Sequence, residues 1–439
     1  MFVDLLLKPV SGLGPNARFF LAAFAMRFGG EGAVLLTVKE LARRLMISSR
    51  LVTEVVPELA RDEAFLVVKE VSVGRGRPTR SYEIAPALQE VERSRPESIA
   101  SLTHGPLIRH LLSCPDIQES DSIVEVAVGE PEQAVGYKQL PARKKSNRLS
   151  VSNRLLLAVL MCHADDLGVV RRVGMPMLKQ LTGLDEVKLK PRLRRLVQLG
   201  FIRSSVAGVT SSIFAEVKVS TTYFLNLNHP QLRLEEDCCA SIVLHEYGVG
   251  RRETVSAAAP AVALRFFQAL REPVFEVLYL KLARYVSHLL SHHWNELRLP
   301  ERSWEFAPLK NMISADFNRP QGDFTTGLAI GEIDWLEVID HFHWFVVARA
   351  AKIKSRLEGT VLGDLKDSRM EVIPSPDRDD GSRITTLLLR RGPVPVASCL
   401  VIRDARSGFC EPFNGETQLT EEERYQFGLQ TNPKPGWAG

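Results

Sequence analysis

The chain has 439 residues, of which 45% are hydrophobic and 25% are charged. This composition is typical of an ordinary soluble globular protein of about three domains and argues against a membrane-embedded chain. No apolar segment approaches the length of a membrane span, and the run at residues 5–7 is too short for a signal peptide. The six cysteines contain no Cys-x-x-Cys pair. We therefore expect free thiols, no cysteine-bound metal and a cytoplasmic location.

The formal net charge is only +4, but the positive charge is concentrated between residues 136 and 218. This basic segment contains sixteen basic and five acidic residues, a balance of 16 − 5 = +11, so the rest of the chain is net acidic. Such a segregated charge favours binding to a polyanion. A membrane surface is a weaker alternative, because no basic amphipathic helix with an aromatic face accompanies the charge.

A run of short predicted elements opens the chain within residues 1–88. In chain order they are a helix over residues 16–28, a strand over 34–36, a helix from residue 38, a helix from residue 50, and strands over 65–73 and 80–84. Thr37 is placed to cap the helix from residue 38, and Met46-Ile47-Ser48-Ser49 separates the two short helices. Between the strands, Gly74-Arg75-Gly76-Arg77-Pro78 forms a predicted hairpin tip.

A single constant shift along the sequence superposes a second copy of this pattern within residues 149–230. The shift pairs apolar residues at five positions: Leu41 with Leu178, Ile47 with Leu184, Val52 with Leu189, Val56 with Leu193, and Leu59 with Leu196. Five coincidences at one offset indicate an internal repeat. The second copy is predicted to contain helices over 154–163, 175–181 and 188–199, a strand opening at residue 201 and a return strand over 221–227.

The order of elements in each copy resembles the winged helix-turn-helix of bacterial DNA-binding proteins. In that family a positioning helix and a recognition helix are joined by a tight turn, and a hairpin follows them. The resemblance covers roughly residues 14–87 and 149–228, about a third of the chain, and lies at the level of the fold. It implies that the helix from residue 50 and the helix over 188–199 enter the major groove of duplex DNA.

Two prolines depart from the family pattern. Pro57 lies inside the first predicted recognition helix, where it removes a hydrogen bond and is expected to cause a kink. Pro191 is tolerated if the second recognition helix starts near Lys190, because proline suits a first helical turn. The second hairpin, over 207–212, lacks arginine. One copy is thus a candidate for docking or dimerisation, although we expect both to contact DNA.

The remaining sequence predicts two further segments. Residues 89–148 are irregular, acidic and interrupted by proline, which indicates a linker with at most a short helix near 107–112. Within 240–439, helices over 262–270, 274–296 and 333–357 precede strands over 370–373, 384–389 and 397–402, an order typical of a separate α+β domain. The predicted fold class is therefore mainly α with small β wings: tandem winged helix-turn-helix domains followed by a C-terminal α+β domain.

The candidate DNA-contacting residues follow from the resemblance and from helical spacing. In the first copy an apolar row faces inward, which leaves four residues outward: Ser49, Arg50, Thr53 and Glu54. Arg50 suits either guanine or a phosphate. The outward residues of the second copy are cationic and predict phosphate contacts: Lys188, Lys190, Arg192, Arg194 and Arg195. The remaining candidates are a minor-groove contact from the hairpin and a basic pair before the second copy: Arg75, Arg77, Arg80, Lys144 and Lys145.

Candidates for catalysis and metal binding are few. His288 and His292 are four residues apart on a predicted helix, near His293 in sequence, with His341 and His343 further along. They lack the intervening glutamate of the zinc protease pattern, so we interpret them as packing residues. The loop over residues 377–381 resembles a calcium loop without its closing acid, which favours a surface turn. Because no phosphate-binding loop, nucleophile elbow or aligned triad is found, we expect no enzyme activity, no metal and no cofactor.

These observations favour a sequence-specific double-stranded DNA-binding protein, in the first place a bacterial transcriptional regulator with tandem winged helices. Its C-terminal domain is then expected to form a homo-oligomer or to contact a protein partner, without any membrane contact. The alternative is a replication initiator of a plasmid or another mobile element, since some initiators carry two winged-helix domains in one chain. A protein-interaction scaffold is a third hypothesis, which the +11 balance of the basic segment disfavours.

Overall fold

The computed structural model describes residues 2–10, 12–71, 79–86, 88, 103–113, 149–232, 239–247, 249–298, 306–322, 329–362, 364–374, 382–390, 398–403 and 409–430. About half of these residues are helical and several small sheets accompany them, so the fold is mixed α and β rather than mainly α. The chain divides into two compact units, residues 1–101 with 105–158 and residues 102–104 with 159–439. Among helices in the described ranges, none combines the length and apolar character needed to cross a bilayer.

The described residues of the first unit form helices and an antiparallel sheet. Its helices are α1 (Phe2–Leu7), α2 (Pro15–Phe28), α3 (Val38–Arg44), α4 (Ser49–Leu59) and α5 (Gly105–Ser113). Its strands are β1 (Val34–Leu36), β2 (Leu66–Val71) and β3 (Thr79–Ile84), in the order β1-β3-β2. The next helix, α6 (Val151–Cys162), begins in this unit and ends in the second.

Helix α2 supplies the aromatic core of the first unit. It begins at Pro15, whose fixed φ suits a first helical turn. Four phenylalanines along the helix are almost fully buried: Phe19, Phe20, Phe24 and Phe28. The ring of Phe24 lies 5.9 Å from that of Phe20 and 5.1 Å from that of Phe28, centroid to centroid. Since α4 packs on both α2 and α3, this core holds α4 in place within the unit.

In the second unit, the described residues form further helices and three sheets. Its helices are α7 (Met175–Thr182), α8 (Glu186–Gln198), α9 (Arg251–Ser256), α10 (Ala261–Ala269), α11 (Glu272–His292), α12 (Ala307–Asp316), α13 (Glu332–Leu357) and α14 (Glu421–Gln426). Its strands are β4 (Val169–Val170), β5 (Ile202–Val206), β6 (Val209–Thr210), β7 (Lys218–Val219), β8 (Thr222–Leu225), β9 (Ala240–Tyr247), β10 (Arg369–Ile373), β11 (Ser382–Arg390), β12 (Cys399–Arg403) and β13 (Phe409–Phe413). The sheets have the orders β4-β8-β5, β6-β7 and β10-β11-β9-β12-β13.

The inner strands of the five-stranded sheet, β11, β9 and β12, are buried on both faces. Its central strand β9 pairs antiparallel with β11 and parallel with β12. Ile242 and Leu244 of β9 face a large core that includes residues of α10, α11 and α13. Val243, on the opposite face, packs with Leu419 and Phe427 from the segment that contains α14. Because both of their faces are covered, β12 and the first half of β9 read as nearly continuous apolar runs.

Most of the predicted elements are present with similar bounds. The helices predicted over 16–28, 175–181, 262–270 and 333–357 and the strands predicted over 34–36 and 370–373 are confirmed. The predicted order of helices before strands within 240–439 is incomplete, because β9 precedes the helices and occupies the centre of the sheet. Strand β13 and helices α9 and α12 are also not predicted.

Both prolines of the predicted recognition helices lie in helix interiors. Helix α8 begins at Glu186, because Asp185 caps it, and not at the predicted Lys188. Pro191 therefore lies beyond the first turn, and the helix nevertheless continues to Gln198. Helix α4 likewise continues through Pro57 to its end. Both prolines are exposed, so water is available to the backbone carbonyls that lose a helical donor.

Candidate nucleic-acid interface

Two pairs of short helices carry most of the predicted contacts: the first helix pair, α3 with α4, and the second helix pair, α7 with α8. The first helices of the two pairs begin at Val38 and Met175, and the helices that follow them begin at Ser49 and Glu186. Both pairs of helix starts are separated by the same offset as Leu41 and Leu178 in the apolar repeat. The three-stranded sheets also correspond: β1 and β4 precede the helix pairs, and the orders β1-β3-β2 and β4-β8-β5 place the last strand in the centre.

The turns within the two helix pairs adopt the same unusual backbone conformation. Met46 has φ of 53°, and Gly183, at the equivalent position of the repeat, has φ of 69°. The left-handed region suits glycine, whereas a residue with a Cβ atom is strained there. The first turn thus carries strain that the second avoids, and the shared conformation sends the chain into the next helix in the same way.

Side-chain caps determine where the second helix of each pair starts. The Ser48 hydroxyl accepts a hydrogen bond from the Leu51 amide at 3.2 Å, and the Asp185 carboxylate accepts one from the Lys188 amide at 2.8 Å. Hydrogen bonds from Lys188 hold the pKa of Asp185 below its ordinary value. The predicted cap at Thr37 is confirmed, because its hydroxyl accepts from the Glu40 amide at 3.2 Å.

Helix α4 separates a buried apolar face from an exposed polar face. Its buried residues are Leu51, Val52, Val55, Val56 and Leu59. The four predicted contact residues, Ser49, Arg50, Thr53 and Glu54, are all exposed. Nε of Arg50 donates to Oε1 of Glu54 at 2.7 Å, and this hydrogen bond raises the pKa of Arg50. The Thr53 hydroxyl donates to the Ser49 carbonyl oxygen at 3.0 Å. A ligand of this face therefore competes with bonds along the helix.

Helix α8 has the more positive exposed face of the two. Leu189, Leu193 and Leu196 are buried, while Lys188, Lys190 and Arg194 are exposed. Within its bounds the helix contains five cations and a single acid, Glu186. Nζ of Lys190 lies 2.8 Å from Glu186, and Nζ of Lys188 lies 2.9 Å from the capping Asp185. Both ion pairs are exposed to solvent.

Two of the predicted outward cations of α8 are only partly exposed. Arg192 is partly buried, and its burial lowers its pKa. The repeat places it at the position of Val55, which is buried in α4, so it occupies the inward side of the repeat. Arg195 is also partly buried. Arg192 and Arg195 are thus less exposed than Lys188, Lys190 and Arg194, and their contacts with DNA stay predictions.

The remaining predicted contacts are described only in part. Arg80 is exposed near the start of β3, with Nη2 at 3.4 Å from Oε1 of Glu70. The hairpin tip with Arg75 and Arg77, and the pair Lys144 and Lys145, lie outside the described residues. Their roles remain predictions from the sequence.

Several cations of the basic segment are engaged inside the protein. Arg154 is buried and donates to a backbone carbonyl of α5 at 2.7 Å. Arg171 forms an ion pair with Glu371 at 2.7 Å. Arg203 is 1% exposed and donates to Glu416, which is 4% exposed, at 2.8 Å. The +11 balance of the sequence therefore overstates the positive charge that reaches the surface.

One exposed residue of α8 is absent from the predicted contacts. Val187, the second residue of the helix, is 82% exposed and precedes Lys188. Val187 does not share the helical spacing of the buried Leu189, Leu193 and Leu196. From the sequence, this spacing could have identified it as an apolar side chain on the outward face. The positive face of α8 thus also presents an apolar group near its N-terminus.

The described histidines and cysteines do not form a metal centre. In the ranges that the structure covers, no cluster of three or more His, Cys, Asp or Glu side chains is arranged to hold a metal ion. The rings of His288 and His292 are 4.9 Å apart, and burial lowers the pKa of His288. His343 accepts a hydrogen bond from the Phe306 amide, which fits the predicted packing role. The calcium-like loop over 377–381 lies outside the described residues.

Comparison of the chain with protein-family models, with curated proteins and with solved structures finds no match. The candidate interface therefore depends on the chain's own geometry. Its main parts are the two corresponding helix pairs and the exposed cations of α8.

Proposed function

We propose that this chain is a sequence-specific double-stranded DNA-binding protein, and more specifically a bacterial transcriptional regulator acting in the cytoplasm. Each helix pair, with the three-stranded sheet formed around it, is then a winged helix-turn-helix. Helices α4 and α8 serve as the recognition helices. The helices and sheet within 240–439 provide contacts to a second copy or to a protein partner.

The observation that carries the proposal is the division of α8 into a leucine face and a cationic face. The major groove of B-DNA is about 12 Å wide and admits one helix. A helix that is anchored on one side by buried leucines and exposes Lys188, Lys190 and Arg194 on the other fits this requirement. These cations neutralise phosphates, which supplies sequence-independent affinity.

The ion pairs on α4 and α8 are compatible with this role. Exposed pairs between neighbouring helical residues are weak and are screened by salt. A row of phosphates offers Lys188 and Lys190 more negative charge than Asp185 and Glu186 do. On α4, release of Arg50 to a phosphate or guanine leaves Glu54 able to accept from the amino group of cytosine.

Val187 supplies a candidate for base reading on a helix otherwise dominated by cations. The first residues of a recognition helix contact base edges. An exposed apolar side chain at this position suits the methyl group of thymine, which projects into the major groove. We therefore assign phosphate positioning to the lysines and arginine and methyl contact to Val187.

The proposal is tested by selecting bound sequences from a pool of random DNA duplexes with the full chain. We expect enrichment of a defined motif and duplex binding that weakens as salt is raised. A motif in inverted repeats would support a regulator, whereas direct repeats beside an A·T-rich tract would instead identify a replication initiator. No enrichment and no duplex binding at about 0.1 M salt would contradict DNA binding altogether.

A matched pair of variants separates the interface from general charge effects. Lys190→Gln removes an exposed cation from α8, and Lys366→Gln removes an exposed cation from the segment before β10. We expect only the first change to weaken duplex binding appreciably. Equal losses for the two variants would show that net charge, and not α8, determines binding.

A further inference from the structure

Four cations surround one buried carboxylate in the second unit. Glu246 of β9 is 4% exposed, and Oε2 accepts from Arg349 at 2.9 Å and from Arg383 at 2.6 Å. Oε1 lies 3.1 Å from Nζ of Lys352 and 3.0 Å from Nη1 of Arg356. We call these five residues the Glu246 cluster.

The backbone brings the Glu246 cluster together from three elements. Arg349, Lys352 and Arg356 are spaced by three and four residues on α13, so they lie along one face of that helix. Arg383 of β11 is the direct cross-strand partner of Glu246 in the β9–β11 register. The position of the cluster is therefore determined by the long helix α13 and by the central strand β9 with its neighbour β11.

The cluster carries more positive charge than it neutralises. Among the described residues, four cations against one carboxylate leave 4 − 1 = +3. The three arginine side chains are only 10–14% exposed, whereas Lys352 is 49% exposed. Cations held this close and partly desolvated repel one another, and a single carboxylate offsets only part of that repulsion.

The hydrogen-bonding capacity of the cluster is also incompletely used. Arg349 donates to the hydroxyl oxygen of Thr385, and Arg383 donates to that of Thr254. In the described part of the chain, Nη1 of Arg356 and Oε1 of Glu246 are both buried and neither has a partner in hydrogen-bond geometry, although they lie 3.0 Å apart. A guanidinium nitrogen that lacks a well-placed acceptor suits an oxyanion ligand.

We propose that the Glu246 cluster is a binding site for a phosphate group, held mainly by Arg356 and Lys352. The ligand is inorganic phosphate or the phosphate of a small phosphomonoester, since both present the same oxyanion. The recessed position of the arginines favours a small anion over the backbone of a duplex, which needs exposed cations. This site is independent of the proposed contacts of α8 with DNA.

The test is isothermal titration calorimetry of the full chain with inorganic phosphate and, separately, with glycerol phosphate, at constant ionic strength set by chloride. We expect saturable binding of at least one probe. Tighter binding of glycerol phosphate would identify a phosphomonoester as the ligand, and equal binding would identify free phosphate.

Variants connect the binding to the cluster. Lys352→Gln and Arg356→Gln are each expected to weaken phosphate binding about tenfold, as loss of one charge-assisted contact does. Lys366→Gln is the control and should leave the affinity unchanged. If Arg356→Gln fails to fold, Lys352→Gln, at a half-exposed position, decides the result. Absence of saturable binding, or unchanged affinity in Lys352→Gln, overturns the proposal. The proposal is also overturned if Lys352→Gln loses binding to duplex DNA and keeps its binding to phosphate.

Discussion

The exposed cations of α8 allow a quantitative test of the proposed DNA contacts. The perturbation is the double change Lys190→Gln with Arg194→Gln, which removes two positive charges from the face opposite the buried leucines. Glutamine has nearly the same helix propensity as lysine and arginine, so α8 is expected to remain folded. Any loss of binding then reports the missing charges.

The magnitude follows from counterion release. Each phosphate contact contributes about 0.9 to the slope of log K against log salt concentration, so loss of two contacts should reduce that slope by about 1.8. With the affinities of the wild type and the variant taken as equal at about 1 M salt, this difference in slope corresponds to roughly 60-fold weaker binding of the variant at 0.1 M salt and roughly ninefold weaker binding at 0.3 M. The defect should therefore shrink as salt rises, which general unfolding would not produce.

The assay is fluorescence anisotropy with a labelled duplex that carries the selected motif, measured at several salt concentrations between about 0.1 and 0.3 M. Thermal unfolding confirms that the variant is folded. The matched control, Arg298→Gln with Lys366→Gln, removes two exposed cations from outside α8. A slope that stays unchanged in the α8 variant, or falls equally in the control, would refute the assignment of these contacts.

Three further predictions concern stability in the two units. Arg203→Met should lower the free energy of unfolding by about 3–5 kcal/mol, because Glu416 is left buried and charged. Calorimetry should show that the added change Glu416→Leu restores part of the lost stability. If the double variant is no more stable than Arg203→Met, the buried charge is not the reason for the loss. Burial lowers the pKa of His229 to about 4 from its ordinary 6.5, so the unfolded chain binds a proton in a range where the folded chain does not. In urea unfolding, the stability of the wild type should therefore fall from pH 6.5 to pH 4 by roughly 3 kcal/mol more than that of His229→Gln, and parallel pH curves would contradict this. Gly183→Ala should destabilise by about 1 kcal/mol in thermal unfolding, whereas Met46→Gly should not destabilise; equal losses would rule out the shared left-handed turn as the cause.

Sequence alone predicts the helix pairs well, because their signals are local. The cap at Thr37 and the apolar spacing around Leu41 and Val52 lie within a few turns of helix. The same local pattern recurs around Leu178 and Leu189, and the starts of α7 and α8 follow it. The boundary of α8 is the exception, since its cap is Asp185 and the helix begins before the predicted Lys188.

Strand β9 shows where local reasoning is insufficient. Its residues form an apolar run that is also compatible with the start of a helical region. Its partners β11 and β12 come much later in the chain, beyond all the helices from α9 to α13, so nothing near β9 in sequence indicates that it is the central strand. The predicted helices-then-strands order therefore omits the strand on which the sheet is built.

The amino-acid order by itself determined the repeat, the caps and the amphipathic faces of α4 and α8, since these depend on residues a few positions apart. Only the tertiary structure decided which charged side chains are buried in ion pairs and which are exposed. Arg203 donates a hydrogen bond to Glu416, which lies far along the chain, and Glu246 forms ion pairs with cations of α13 and β11. Whether a cation remains at the surface depends on which distant acid the fold brings to it, because a charge is buried stably only beside a partner.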